Sequence, residues 1–198
     1  ADIKQFSVLF ANEEAVIAEK VIELSRVFAA LEDLPFPSVC LFDGVAVGGG
    51  FELGLACDYR LMSSKARLGL PEVKLGINPG FGGTIRLPRL IGCDNAIEWI
   101  ATGNDYKADA ALNVGAVDGV VASEDLKSAA LLMIKQANEG KLAYLLRKQE
   151  KTSPVLLSDI ERLMTFTTAK GLVAAQAGPN MPAPVSAVKS IEKSAHLA

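Results

Sequence analysis

PSVCLFDGVAVGGGFELGLACD, Pro37 to Asp58, reads as strand, loop and helix. Ser38, Val39, Leu41 and Phe42 form a short apolar run, and Asp43-Gly44 is a turn signal. Gly48, Gly49 and Gly50 follow, and Phe51, Leu53, Leu55 and Ala56 continue as a buried helix. Three glycines at a strand-to-helix junction let another group approach the backbone closely. They also leave helix-start N–H groups free to hold an anion or a developing negative charge. One acid, Glu52, sits in this otherwise apolar helix start. An isolated carboxylate there would be costly to bury, so it calls for a partner or a task. A half-exposed Glu that merely favours a helix N-terminus is the plain alternative.

A second stretch downstream has the same character. After a strand over Tyr59 to Met62, a turn at Ser63-Ser64-Lys65 and a short strand over Arg67 to Leu70, Pro71 opens a helical turn carrying Glu72. Asn78-Pro79-Gly80-Phe81-Gly82-Gly83 is a Gly-rich loop, and Thr84 begins a helix through Leu90. Neither glycine cluster fits a nucleotide motif: Gly48, Gly49, Gly50 and Gly54 do not match G-x-G-x-x-G, and no G-K-[ST] follows either cluster. No G-x-S-x-G is present. What remains is one carboxylate beside each Gly-rich turn. If both turns face one cleft, Glu52 and Glu72 could hold one water between them, one as base and one as acid. Backbone N–H groups near Gly49 could stabilise an oxyanion. Two unrelated surface acids would have the same spacing.

Composition narrows the chemistry. With 198 residues, half of them hydrophobic and 22% charged, the chain can bury a real core and is not a disordered one. Lys and Arg number 20 against 23 Asp and Glu, and a balance of −3 argues against nucleic acid as a partner. No apolar run reaches membrane-spanning length, so membrane insertion is not expected. Cys40, Cys57 and Cys93 lack metal-ligand spacing and read as free thiols of a reducing compartment. The single histidine, His196, lies near the C-terminus. His-dependent triads and His-ligated zinc therefore have nothing to use in the body of the chain.

The rest of the pattern is mostly helical. Asn12, Glu13 and Glu14 read as cap and first turn of an amphipathic helix, with Ile17, Val21, Leu24, Phe28 and Leu31 as its stripe. Helices are expected around Asn95 to Ala101 and Lys107 to Asn113, a strand over Val117 to Val121, and a helix from the Ser123-Glu124-Asp125 cap to about Asn138. Arg147 to Lys151 reads as a solvated face or linker. Ser158 and Glu161 have capping-box spacing ahead of a helix ended by Gly178-Pro179, and Pro184 opens a last helix. Arg86 and Arg89 read as a solvated helix face rather than phosphate contacts, and Trp99 as a packing residue. Strand and helix alternate early and the end is all helix, which gives an α/β fold with a helical C-terminal extension.

DGVAVGGGFELGLACDYRL and LGLPEVKLGINPGFGGTIRLPRLIG resemble the crotonase, or enoyl-CoA hydratase/isomerase, superfamily, and the likeness continues through ATGNDYKADAALNVGAVDGVV. Within it, AKGLVAAQAGPNMPAPVSAVKSIEKSA is similar to the point where a larger multifunctional protein of fatty-acid beta-oxidation leaves its hydratase part for a linker. The resemblance implies a crotonase-like spiral of ββα units. Glu52 and Glu72 fall on the two catalytic glutamates, and the presence of both favours hydration over reactions that need only one. Gly49 and Ala1 fall on the two oxyanion-hole donors, and Gly80 on a backbone N–H near the catalytic water. The implied reaction is syn addition of water to a trans-2-enoyl-CoA giving 3-hydroxyacyl-CoA, with 3-enoyl-CoA isomerisation as a close companion. A folded chain that only self-associates is the alternative of another class.

The family also places strands and part of the coenzyme A site ahead of the ADI motif. The resemblance therefore implies a fragment, with residues 1–140 as the crotonase-like core lacking its N-terminal strands, and 141–198 as helical extension and start of linker. No cofactor and no metal are expected, and NAD is not expected here. The implied partners are an acyl-CoA substrate, further copies of the chain and, for the parent protein, a thiolase subunit; the implied location is the cytoplasm.

Overall fold

The computed structural model of the protein describes residues 11–197. A long helix α1 (Glu14–Glu32) leads to β1 (Val39–Phe42), β2 (Val45–Val47), α2 (Gly49–Ala56), β3 (Tyr59–Ser63) and β4 (Arg67–Gly69). A 3₁₀ turn (Pro71–Leu75) precedes α3 (Gly83–Ile91), α4 (Cys93–Thr102), β5 (Asp105–Lys107), α5 (Ala108–Asn113) and β6 (Gly119–Val121). Four helices complete the chain: α6 (Leu126–Asn138), α7 (Tyr144–Thr152), α8 (Asp159–Ala177) and α9 (Ala183–Ser194).

The described strands form two three-stranded sheets, ordered β1-β3-β6 and β2-β4-β5. β1, β3 and β6 are parallel, with Val39 opposite Tyr59 and Leu61 opposite Gly119. Parallel neighbours need a crossover, and β2 with α2 supplies it between β1 and β3. β2 and β4 are also parallel, with Val47 opposite Gly69, and the Gly48 amide extends the ladder to the Gly69 carbonyl at 2.9 Å. This register matters for function. Each strand runs directly into a helical turn, so the turn carrying Glu52 and the turn carrying Glu72 start side by side.

The core lies beneath α2. Phe51, Leu55, Met62, Leu68, Leu70, Leu87, Trp99 and Ile100 are fully or almost fully buried. α9 adds Ala187, Val188 and Ile191 to the same cluster. Trp99 is a core residue, stacked on Tyr106 with ring centroids 3.9 Å apart. Arg60 is buried too; its guanidinium donates to the carbonyls of Cys57 and Ala116 and faces Asp118, tying the end of α2 to the approach to β6.

Two readings of charged segments are corrected. Arg147 to Lys151 is no linker and only partly a solvated face. It lies in α7, where Gln149 and Glu150 are exposed while the cations turn inward. Lys148 and Lys151 meet the buried Asp58 at 3.2 and 3.1 Å, and Arg147 meets Asp118 at 2.7 Å. Nor do Arg86 and Arg89 form a solvated face. Arg89 donates to the carbonyls of Ile85, Ser153, Ser194 and Leu197, and so fastens α3 to the C-terminal region. Arg86 pairs with Glu32 of α1 at 2.8 Å.

Candidate active site

Glu52 lies one turn into α2 and is 1% exposed. Its backbone amide donates to the Gly48 carbonyl, as the helix requires. Its side chain points across to the start of α3. There one oxygen, Oε1, accepts from the amides of Phe81 and Gly83, each at 2.8 Å. The N-cap of α3 is Gly82, at φ +99°, which has no side chain to satisfy those donors. Glu52 does so from another element, and the amides in turn stabilise its charge. Gly83 must be glycine for this approach: a Cβ there would lie 3.0 Å from Glu52 Oε1 and 2.9 Å from Leu70 Cδ1. Burial raises the Glu52 carboxyl above its ordinary value, opposed by the Gly83 and Phe81 amides and by the positive charge of Arg86.

Glu72 sits in the 3₁₀ turn after β4. Its Oε1 lies against the backbone of Gly48, where an added Cβ would be only 3.1 Å away. Gly48 has φ +58°, a conformation that a side chain would strain. Glu72 Oε2 is buried and has no hydrogen-bond partner among the described residues. Burial, with a further contribution from the charge of Glu52, pushes this carboxyl up to about 7. The two acids thus stand within electrostatic reach of each other in unlike surroundings, Glu52 held by two amides and Glu72 against Gly48 with an oxygen to spare.

Gly49 is the first residue of α2, so its N–H has no acceptor within the helix. Its α-carbon faces the Phe81 ring; a Cβ there would stand 3.4 Å from it. Gly80 is exposed, one residue before the amide that reaches Glu52, and its carbonyl accepts a long 3.5 Å bond from Ser25. Ala1 lies outside the described residues. The fold therefore brings Gly49, Glu52, Glu72 and the Gly80 loop into one neighbourhood. Sequence reading missed Phe81 and Gly83 as amide donors, although a helix beginning right after Gly82-Gly83 was the available signal. The groove between α4 and α8, bordered by Val73, Thr102, Val173 and Met181, is lined by neither acid and holds no buried ionisable side chain. Among the described residues no cluster of His, Cys, Asp and Glu could hold a metal, and no helix is long and apolar enough to cross a membrane.

A buried acid, Glu52, and a half-buried one, Glu72, stand in unlike surroundings where two helical turns converge in a mixed α/β fold, an arrangement suited to acid–base chemistry. The chain belongs to the enoyl-CoA hydratase/isomerase family, whose model matches residues 1–161. It is 57% identical over 197 residues to the fatty acid oxidation complex subunit alpha of Pseudomonas putida, and 54% identical to that of Pseudomonas aeruginosa. Each match covers all of this chain and 28% of the relative, so the chain spans about a quarter of the length of the curated relatives it matches. Among solved structures, it is similar to an enoyl-CoA hydratase from Bacillus anthracis, at 29% identity and a TM-score of 0.61 over 98% of this chain and 65% of the other. It is also similar to DspI of Pseudomonas aeruginosa, at 33% identity and a TM-score of 0.64 over 76% of this chain and 56% of the other. The fold is therefore the crotonase-like one expected from the sequence, and the family match favours an enzyme domain over a chain that only self-associates.

Proposed function

We propose that the chain carries the hydration site for a trans-2-enoyl thioester of coenzyme A, with Glu52 as base and Glu72 as acid. The observation that supports this division is the difference between the two carboxyls. Glu52 has two amides and a nearby guanidinium to favour its ionised form. Glu72 has an oxygen without a partner and is pushed up to about 7, so it keeps a proton to give. The thioester oxygen accepts from the Gly49 N–H, with the amide of Ala1 as second donor, and the enolate-like charge that develops is stabilised there. Water held between the acids, near Gly80, loses a proton to Glu52 as its oxygen bonds to C3. Glu72 delivers its proton to C2. Both events occur on one face of the double bond, which gives syn addition, and exchange of protons with solvent resets the pair. Moving a proton from C2 to C4 of a 3-enoyl-CoA uses the same oxyanion donors, so isomerisation belongs to the same reading.

The relatives are named as subunits of a fatty acid oxidation complex. On that likeness we assign the substrate to fatty-acid beta-oxidation, the setting to a multifunctional cytoplasmic protein, and a thiolase subunit as the partner of the parent. Exposed Ile160, Leu163 and Leu172 on α8 support self-association. No cofactor is assigned, and NAD is not assigned to this chain. The test is turnover of crotonyl-CoA to 3-hydroxybutyryl-CoA, followed in the protein and in Glu52→Gln and Glu72→Gln variants. Turnover that depends on both acids is the expected result. Turnover unchanged in either variant contradicts the assignment.

A further inference from the structure

Glu32 and Arg86 meet far from each other in sequence and form a largely buried ion pair between α1 and the rest of the fold, with side chains 14% and 12% exposed. The contact is forked: Arg86 Nε lies 3.1 Å from both Glu32 oxygens, and Nη2 lies 2.8 Å from Oε2. The remaining arm, Nη1, donates to the Phe81 carbonyl at 2.8 Å. Phe81 is the residue whose amide, on the other side of the same loop, donates to Glu52. The guanidinium also lies directly over Gly82, where an added Cβ would run into it. Arg86 therefore spans the three residues, 81 to 83, that present both amides to Glu52. α1 backs this arrangement at two more points on the same face: Phe28 stacks on Phe81 with centroids 5.1 Å apart, and Ser25 reaches the Gly80 carbonyl. Residues 25, 28 and 32 are spaced to share one side of a helix.

We propose that Arg86, gripped by Glu32, is a positioning residue for hydration, holding the Phe81–Gly83 loop so that its two amides stay aimed at Glu52. This rests on the assignment of Glu52 as base. The planar fork of arginine suits the task because it can pair with a carboxylate and still donate to a carbonyl. The charged groups facing the device are few. Arg86 acts on Glu52, and Glu52 on Glu72; Arg89 lies near Arg86 and Glu32; and from α7 Lys151 stands 3.8 Å from the Glu32 carboxylate while Lys148 donates to the Glu32 carbonyl at 2.8 Å. Removing the Arg86 charge takes away one of the influences that favour ionised Glu52.

The test compares Arg86→Met, Arg86→Lys and Glu32→Gln with the unaltered protein, reading kcat, KM and the pH profile of crotonyl-CoA hydration. For Arg86→Met the expected result is a kcat lowered about 10–100-fold, as for a misplaced catalytic group. KM should stay nearly constant, and the acid limb of the profile should move to higher pH. Arg86→Lys should recover part of the loss, and Glu32→Gln should show a smaller change in the same direction. A merely structural role would lower thermal stability without moving the acid limb. Unchanged kcat and acid limb in folded Arg86→Met overturns the proposal, as does a rise in KM alone, which would make Arg86 a substrate contact. If Arg86→Met does not fold, Glu32→Gln decides on the same readouts. Glu52→Gln in parallel separates the two levels: if it hydrates normally, the function assigned to the site fails; if it is dead while the Arg86 variants are unaffected, only the positioning role fails.

Discussion

The Gly83 amide donates to Glu52 Oε1 at 2.8 Å, and the Gly83 α-carbon leaves no space for a side chain on that path. Gly83→Ala should therefore push the carboxylate off its two donors while leaving the acid itself in place. The expected outcome is a kcat for hydration lowered about tenfold or more with a folded protein. Steady-state kinetics beside a circular-dichroism spectrum check it. A Gly83→Ala protein with full kcat would mean that this amide does not set the position of Glu52.

Glu72 gives a prediction for pH. Its carboxyl is raised from an ordinary 4.5 to about 7 by burial and by Glu52. As the acid it must carry its proton, so kcat/KM should fall as pH rises through about 7. The stability sign runs the same way. The folded protein retains a proton that the unfolded chain has already released, so this group favours folding at low pH, and that contribution is lost as pH rises from 4.5 to about 7. In Glu72→Gln the alkaline limb should disappear from the residual activity. A limb that persists there belongs to another group.

Asp58 carries a prediction for stability alone. Its side chain is fully buried; it accepts from the Ser38 amide and hydroxyl and meets Lys148 and Lys151. Burial would raise its carboxyl, but the Ser38 amide and Lys151 outweigh that and hold it below the ordinary range. Asp58→Ala takes the nearest carboxylate from two lysines, 18% and 10% exposed, and leaves Lys148 with the Glu32 carbonyl and Lys151 with the Ala56 carbonyl and the Glu32 carboxylate at 3.8 Å. The expected loss is about 3–5 kcal/mol, as for breaking other buried pairs. That corresponds to roughly 6–20 °C in Tm for a chain of this size. Scanning calorimetry checks it, and a shift within a degree would show that Glu32 and the Ala56 carbonyl suffice to hold the lysines.

How much of this was legible in the sequence depended on the range of each contact. The capping box of Ser158 and Glu161 is local and present as read, each side chain meeting the other's backbone. α6 ends at Asn138 as its pattern and Gly140 imply. β2 was missed, although Val45-Ala46-Val47 is an apolar run with two β-branched residues, because three residues between a turn and three glycines look like loop. β5 was missed as well. Asp105, Tyr106 and Lys107 alternate polar and apolar over only three residues, too few to mark a strand, and their antiparallel pairing with β4 is set by tertiary context. Glu52 and Glu72 stood out because each sits beside glycines in apolar surroundings. Phe81, Arg86 and Glu32 did not, because their meaning lies in partners 29 and 54 residues away, which no local pattern encodes.

The central claim is that Glu52 and Glu72 act as a unit on one water, and a double-mutant cycle on crotonyl-CoA hydration tests it most directly. Glu52→Gln and Glu72→Gln should each lower kcat about 10²–10⁴-fold, the range for losing a positioned acid or base. Substrate binding should change much less, since in the proposed site the thioester would be held by backbone N–H groups that the substitutions leave in place. The account predicts that the double variant is scarcely slower than the worse single variant, because one acid without the other has little left to do. Losses that multiply fully, or a double variant that still hydrates near the original rate, would contradict it.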